Sequence, residues 1–292
     1  MRKYCERLLS FYARNPVVGL GITFVFVLGA VVLSTRSLLA FFSIEGLLIV
    51  VGGVIAVAFL SYEIDDVRKA LSVVASLFEE RPETRQDNLH QDMMEIIGWA
   101  YMVKEKGLRR LESSLARRGI DDPFTKYGLN MVISGYAPED VRAMMETAAD
   151  ACHERESMPV DVLQTMTSHA PAFGMIGTLV GMVAMLCSLG DDVASIGSNL
   201  SVAFLSTLYG VVSARMVYMP AAAKLRQIVA KHRFRNQLIT EGMVMLVENR
   251  TPTYIRDRLN SFLRPERHDY FDTFNSDPEV IVPQPRLKVV GA

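Results

Sequence analysis

The sequence predicts an all-α membrane protein in which four transmembrane helices flank an inserted helical cytoplasmic domain. Half of the 292 residues are hydrophobic, but they are concentrated in charge-free stretches that alternate with segments dense in Lys, Arg, Asp and Glu. A helix needs about 20 apolar residues to cross the hydrocarbon core of a bilayer, and four stretches are long enough. The net charge of −1 gives no reason to expect a nucleic-acid partner.

The four predicted spans fall into two pairs. Spans one and two lie within residues 17–62, and Glu45 stands near the start of span two. Spans three and four lie within residues 164–223 and are joined by a short loop that contains Asp191 and Asp192. The first pair is mainly aliphatic and aromatic, which predicts an apolar support. The second pair is richer in Gly, Ala, Ser and Thr, which predicts that spans three and four carry a polar helix face.

The distribution of Lys and Arg predicts the orientation. Four lie in the lead-in of residues 1–16, thirteen in the helical segment 63–163, and twelve from Lys224 onward. Because such residues accumulate on the cytoplasmic side, both termini and the middle segment are expected there. Residues 224–265 are expected to form a cytoplasmic C-terminal helix that continues from span four. Residues 266–292 are polar and contain proline, which predicts disorder.

Apolar residues at three- and four-residue spacing predict helices throughout segment 63–163, including one with Pro138 in its first turn. The stretch KEKGLRRLESS within it is densely charged. As a helix, it would pair Glu105 with Arg109 and Arg109 with Glu112. On composition alone, a solvated helix face is the favoured interpretation.

Small and polar residues recur on one face of each span in the second pair. These are Pro171, Gly174, Thr178 and Gly181 in span three, and Ala203, Thr207, Gly210 and Ala214 in span four. Close helix packing is one interpretation. The other is a narrow ion path, because Thr178 and Thr207 offer hydroxyl oxygens that suit a hard cation. Pro171 lacks an N–H, which leaves the carbonyl of Thr167 without its helical partner.

The cores of spans three and four contain no Asp or Glu. Since ion relays in membranes depend on an ionisable group, the binding carboxylate is expected from a partner helix. Glu45, Asp191 and Asp192 would form an acidic outer mouth, or are ordinary interface charges. The sequence offers no catalytic set and no metal-ligand spacing, so we expect neither an enzyme nor a bound cofactor.

Three stretches together resemble the flagellar motor stator A subunits of the MotA/PomA type. They are LLIVVGGVIA in span two, HAPAFGMIGTLVGMVAML in span three and STLYGVVSARMVYMPAAAKL in span four. The resemblance covers about residues 17–250. It implies a pentamer of this chain around two single-span B subunits in the bacterial inner membrane. A transmembrane Asp of the B subunit would carry Na⁺ or H⁺, and the ion flow would drive the flagellar rotor.

The resemblance also implies roles for particular residues of the spans. Thr207 matches a pore threonine, and Thr178 matches a threonine typical of sodium-type members, which favours sodium over protons. Pro171 and Pro220 match two functional prolines. Gly174 and Gly210 are expected to be structural because they lie on the small-residue faces of the two spans. In addition, Ser168 stands where members often carry Asp, and the lead-in is longer than usual.

The charged stretch matches the rotor-contacting surface of the family. Lys104 and Glu112 fall at the two positions whose charges meet the rotor, with Lys106 and Arg109 beside them. Members usually carry Arg where this chain has Lys104. The positive charge is kept, but the two parallel hydrogen bonds that a guanidinium can donate are lost.

Two other functions fit parts of the pattern. An ExbB/TolQ-like energiser of outer-membrane processes shares the last two spans, but has three spans and an outward N-terminus. A non-conducting membrane scaffold would use the small-residue faces for packing alone, and would tolerate Thr207→Ala.

Overall fold

The computed structural model describes residue 29 and residues 41–76, 88–118, 122–189 and 193–263. Within these ranges the regular secondary structure is helical throughout, which confirms the predicted all-α class. The helices are α1 (Ile44–Ser61), α2 (Ile64–Ser76), α3 (Asn88–Lys106), α4 (Leu108–Arg118), α5 (Pro123–Ser134), α6 (Pro138–Cys187), α7 (Val193–Val212), α8 (Met219–Val247) and α9 (Pro252–Asn260).

Among the described residues, three helical runs are long and apolar enough to cross a membrane: Ile44–Ser61, Pro138–Cys187 and Ile196–Val247. They contain predicted spans two, three and four. Apart from residue 29, predicted span one lies outside the described residues, as do the lead-in 1–16 and the tail 266–292.

Two of the runs contain π-helical segments, Leu48–Gly52 within α1 and Ser213–Tyr218 between α7 and α8. In a π-helix each N–H reaches one residue further back than in an α-helix, and such segments often mark functional sites.

The helix that begins at Pro138 and predicted span three are one element. Helix α6 runs for 50 residues with Pro159 and Pro171 inside it, a length of about 75 Å at 1.5 Å per residue. The predicted continuation from span four also occurs, because α7, the π-helical segment and α8 follow one another directly. The structure does not test the predicted domain boundaries, which stay predictions.

The described residues divide into two compact units. The first comprises 41–76, 156–189 and 193–228. Its core is formed by α1, α2, α6 and the π-helical segment with the start of α8, through side chains such as Val54, Val67, Leu163 and Tyr218.

The second unit comprises 88–118, 122–155 and 229–263, so the middle segment and the residues from 229 onward share one core. Met93, Leu129, Met243 and Leu259 are among its fully buried side chains. Local signals fix its helix ends. For example, Gly135 adopts φ 72° and closes α5 with bonds to the carbonyls of its last turn.

Candidate ion-path site

Helices α6 and α7 approach closely at their glycines, where a larger side chain would not fit. A Cβ added to Gly210 would lie 2.6 Å from the carbonyl oxygen of Ala170, and one added to Gly181 would lie 2.7 Å from the backbone nitrogen of Ala203. Gly174 is buried in the same contact. Because the opposing atoms are backbone, they cannot turn aside as a flexible side chain would. The small residues of both helices therefore bring the two backbones together.

Thr178 and Thr207 meet at the centre of this contact, and we call them the threonine pair. Their hydroxyl oxygens are in direct hydrogen-bonding contact. The Thr178 hydroxyl also lies 3.1 Å from the carbonyl oxygens of Gly174 and Ala203, and the Thr207 hydroxyl lies 3.2 Å from that of Gly174. Each hydroxyl has a single proton to donate, so these contacts share two protons among several oxygens. The result is a half-buried group of oxygen atoms that has more lone pairs than hydrogen-bond donors.

Ser206 is a residue of this contact that the sequence reasoning missed. It is fully buried, and its hydroxyl donates to the carbonyl of Ala203 at 2.9 Å. Its side chain fills the space beside Gly177, and its backbone lies against Gly46 of α1. A serine between apolar residues and beside Thr207 was the available signal, because a buried hydroxyl needs a partner.

Helix α1 also takes part in the contact. A Cβ added to Gly53 would lie 2.2 Å from the ring of Phe173, so α1 and α6 are closely packed as well. Span two, which the sequence predicts to be part of an apolar support, thus packs directly on the helices that carry the threonine pair.

Pro171 lies inside α6, half-buried, next to the Ala170 carbonyl that meets Gly210. The Thr167 hydroxyl donates to the Leu163 carbonyl at 2.7 Å. Ser168 is exposed and bonds within its own helix.

Pro220 is the second residue of α8, which directly follows the π-helical segment. The N–H of Met219 still bonds in π fashion, to the carbonyl of Ala214. Because proline has no N–H, the ladder is interrupted at the next position. The π-helical segment thus ends where the proline removes a donor.

The acidic outer mouth is only partly described. Glu45 is exposed in the first turn of α1, where its carboxylate accepts a hydrogen bond from the Ser43 hydroxyl at 3.0 Å. Asp191 and Asp192 lie outside the described residues. In the part of the chain that is described, no group of His, Cys, Asp and Glu has metal-site geometry.

Lys104, Lys106, Arg109 and Glu112 surround a break between two helices, and we call them the charged corner. Helix α3 ends at Lys106, Gly107 adopts φ 73°, and α4 begins at Leu108. The expected intrahelical pair of Glu105 with Arg109 is therefore wrong, because the helix turns between them. All four corner side chains are exposed, and within the described residues none forms a salt bridge.

A half-buried group of charged side chains in the second unit fixes the start of α5. The Arg235 guanidinium donates to both carboxylate oxygens of Asp92, at 2.5 and 3.0 Å, and to Asp122 at 3.1 Å. Asp122 caps α5 by accepting the Thr125 N–H at 3.2 Å. Burial acts to raise the pKa of Asp122. The hydrogen bonds from Thr125 and the charge of Arg235 outweigh burial, so this pKa lies below its ordinary value.

Fold and site together define an all-helical membrane protein with an oxygen-lined contact between two small-residue helices. The model of the MotA/TolQ/ExbB proton channel family matches residues 116–239. The chemotaxis protein PomA of Vibrio alginolyticus is 30% identical over 82% of this chain and 91% of its own length. The uncharacterized protein YtxD of Bacillus subtilis is 33% identical over 76% of this chain and 79% of its own.

A solved structure agrees with these relatives. The flagellar MotAB stator complex from Bacillus subtilis contains a chain that superposes with a TM-score of 0.70 at 25% identity, covering 84% of this chain and 95% of that one. The chain belongs to the MotA/TolQ/ExbB proton channel family and is of the flagellar stator A-subunit type found in MotA and PomA.

Proposed function

We propose that this chain is the channel-forming A subunit of a flagellar motor stator, which conducts cations together with a B-type partner and converts the flow into torque. The observation that carries the proposal is the threonine pair, whose oxygens lie in a closely packed contact between two apolar helices. Such oxygens can replace part of the hydration shell of a hard cation.

The partner follows from what these helices lack. Between Val162 and Cys187, and again between Val193 and Tyr218, the sequence has no Asp or Glu. A half-dehydrated cation, or a proton in transit, needs a carboxylate, which a single-span B subunit would bring. Relatives of known assembly support this, because the similar Bacillus subtilis structure is a MotAB complex.

The remaining features complete the proposal. The chain resides in the inner membrane with both termini in the cytoplasm, self-associates as a pentamer, and presents the charged corner to the rotor. It is not an enzyme and holds no cofactor. Sodium is the favoured ion, because Thr178 adds a second hydroxyl to that of Thr207, and protons are the alternative.

Thr207→Ala tests this function directly. Loss of the hydroxyl is expected to lower cation-driven swimming by about ten- to a hundredfold, in line with 1–3 kcal/mol for a buried polar contact. Thr207→Ser keeps the oxygen and is expected to restore most of the motility. Thr147→Ala is the matched control, since Thr147 is exposed and bonds only within its own helix.

Swimming is recorded in cells that depend on this chain, with the amount in the membrane measured for each variant. Normal swimming of Thr207→Ala at normal membrane level would exclude an ion path through the threonine pair and favour a packing scaffold.

A further inference from the structure

The hydroxyl of Tyr209 is bonded twice to the backbone that precedes α1. It donates to the carbonyl oxygen of Phe41 at 2.6 Å and accepts the N–H of Ser43 at 2.9 Å. Tyr209 lies on α7, two residues after Thr207, whereas Phe41 and Ser43 lie just before the first turn of α1. One side chain therefore ties the start of α1 to the helix that carries half of the threonine pair.

These backbone groups need such a partner. Phe41 and Ser43 precede the regular α1 helix, so its hydrogen-bond ladder does not satisfy the Ser43 N–H. In a bilayer an unpaired backbone group is costly, because no water is available to replace the missing bond. The single Tyr209 hydroxyl satisfies one donor and one acceptor at once.

The contact continues from the start of α1 to the threonine pair. The Ser43 hydroxyl caps α1 by accepting the N–H of Gly46 at 3.2 Å. A Cβ added to Gly46 would lie 3.4 Å from the backbone nitrogen of Ser206, the residue that precedes Thr207. A fixed position of Ser43 therefore also fixes the first turn of α1, which lies against the backbone of α7 at Ser206.

We infer that Tyr209 is a positioning residue of the ion path, which holds the first turn of α1 against Ser206 and so sets the placement of the neighbouring Thr207 hydroxyl. Tyr209 does not contact the ion. It acts through Ser43 and Gly46, and this inference rests on the proposed function.

The other end of α1 provides a matched control. The Tyr62 hydroxyl is hydrogen-bonded to the Thr165 hydroxyl of α6 at 2.8 Å. Thr165 lies thirteen residues before Thr178 on the same helix, a separation of about 20 Å at 1.5 Å per residue. Tyr62→Phe removes the same atom and one hydrogen bond between α1 and α6, but far from the threonine pair.

The test compares Tyr209→Phe and Tyr62→Phe in the full chain with its B partner, in cells that swim on this stator. Swimming speed is measured against sodium concentration at fixed pH, and against pH at fixed sodium. We expect Tyr209→Phe to raise the half-saturating concentration of the coupling cation by about three- to tenfold, the range for loss of one or two hydrogen bonds. Tyr62→Phe is expected to leave this concentration unchanged.

A merely structural role gives a different result. Tyr209→Phe would then lower the amount of protein in the membrane and the maximal speed, without moving the half-saturating concentration, and that result overturns the inference. If Tyr209→Phe does not accumulate, Ser43→Ala decides, because it breaks the next link of the same path. A raised half-saturating cation concentration in Ser43→Ala supports the inference, and an unchanged concentration overturns it.

Thr207→Ala, measured in parallel, distinguishes a failure of the proposed function from a failure of the positioning role of Tyr209. Normal swimming of Thr207→Ala rejects the proposed function itself. If Thr207→Ala impairs swimming but Tyr209→Phe leaves the half-saturating cation concentration unchanged, only the positioning role is rejected.

Discussion

The hydroxyls of Thr178 and Thr207 are in hydrogen-bonding contact across α6 and α7, and both reach the carbonyl oxygen of Gly174. The two threonines therefore act as one group, and removal of either hydroxyl changes the partners of the other. Double substitution should consequently cost less than the sum of the single substitutions.

Thr178→Ala is expected to impair swimming at low sodium concentration more than at high sodium concentration. The remaining Thr207 hydroxyl keeps the Gly174 carbonyl as a partner, but the site has lost one oxygen ligand. The measurement is the sodium concentration at half-maximal speed, which should rise about tenfold for about 1.4 kcal/mol. Thr178→Ser is the control that retains the oxygen, and an unchanged sodium dependence in Thr178→Ala would contradict sodium coupling at this position.

Gly210→Ala should destabilise the contact between α6 and α7. The added methyl would meet the carbonyl oxygen of Ala170 at 2.6 Å, and relief requires a shift of the backbone. Overpacking of this kind costs about 1–3 kcal/mol. Thermal unfolding in detergent and the amount of protein in the membrane report the effect. Gly197→Ala on the same helix is the control, because its added Cβ has nothing within 4 Å.

Charge reversal at the charged corner should separate torque from ion flow. Lys104→Glu and Glu112→Lys alter exposed side chains that stabilise nothing visible in the described chain. We expect each to reduce swimming while cation flux through the assembled channel is unchanged. Lys126→Glu reverses an exposed charge on α5 and should swim normally. An equal loss of swimming in Lys126→Glu would show that the effect is not specific to the charged corner.

Asp122→Asn should remove a pH-dependent part of the stability of the second unit. Because the pKa of Asp122 is lower in the folded chain than its ordinary value of 3.8, folding favours the charged form. The contribution is present above pH 3.8 and is lost as pH falls through the folded pKa.

Wild-type protein should therefore lose stability on acidification below about pH 4, and Asp122→Asn should lose less over the same interval. At neutral pH the variant should be less stable by about 1 kcal/mol, since Asn still caps the helix but cannot pair with Arg235. Unfolding curves at several pH values measure both effects. Parallel acid profiles for the two proteins would show that Asp122 makes no such contribution.

The spans and the threonine pair could be predicted from the sequence because both are local patterns. Charge-free length identifies a span, and small residues at helical spacing identify a packing face around Thr178 and Thr207. The role of α1 could not be predicted in this way. Gly46 and Gly53 lie in an aliphatic run, and only their neighbours in space, Ser206 and Phe173, show what they do.

The extent of the helices was harder to predict than their existence. Pro159 and Pro171 both discourage a continuous helix, yet tertiary packing keeps α6 intact through both. Conversely, KEKGLRRLESS has helical composition throughout, and the single left-handed residue Gly107 divides it. A glycine can continue a helix or end one, so the composition alone does not decide between these outcomes.

The break at Gly107 places the cations of the corner in opposite helix-dipole environments. Lys104 and Lys106 occupy the last turn of α3, where the partial negative charge of the helix end favours them. Arg109 lies in the first turn of α4, where the partial positive charge opposes it by about 0.3–1 kcal/mol. The corner thus keeps a cation where its own backbone disfavours one, and an acidic surface that approached Arg109 would relieve this internal repulsion on contact.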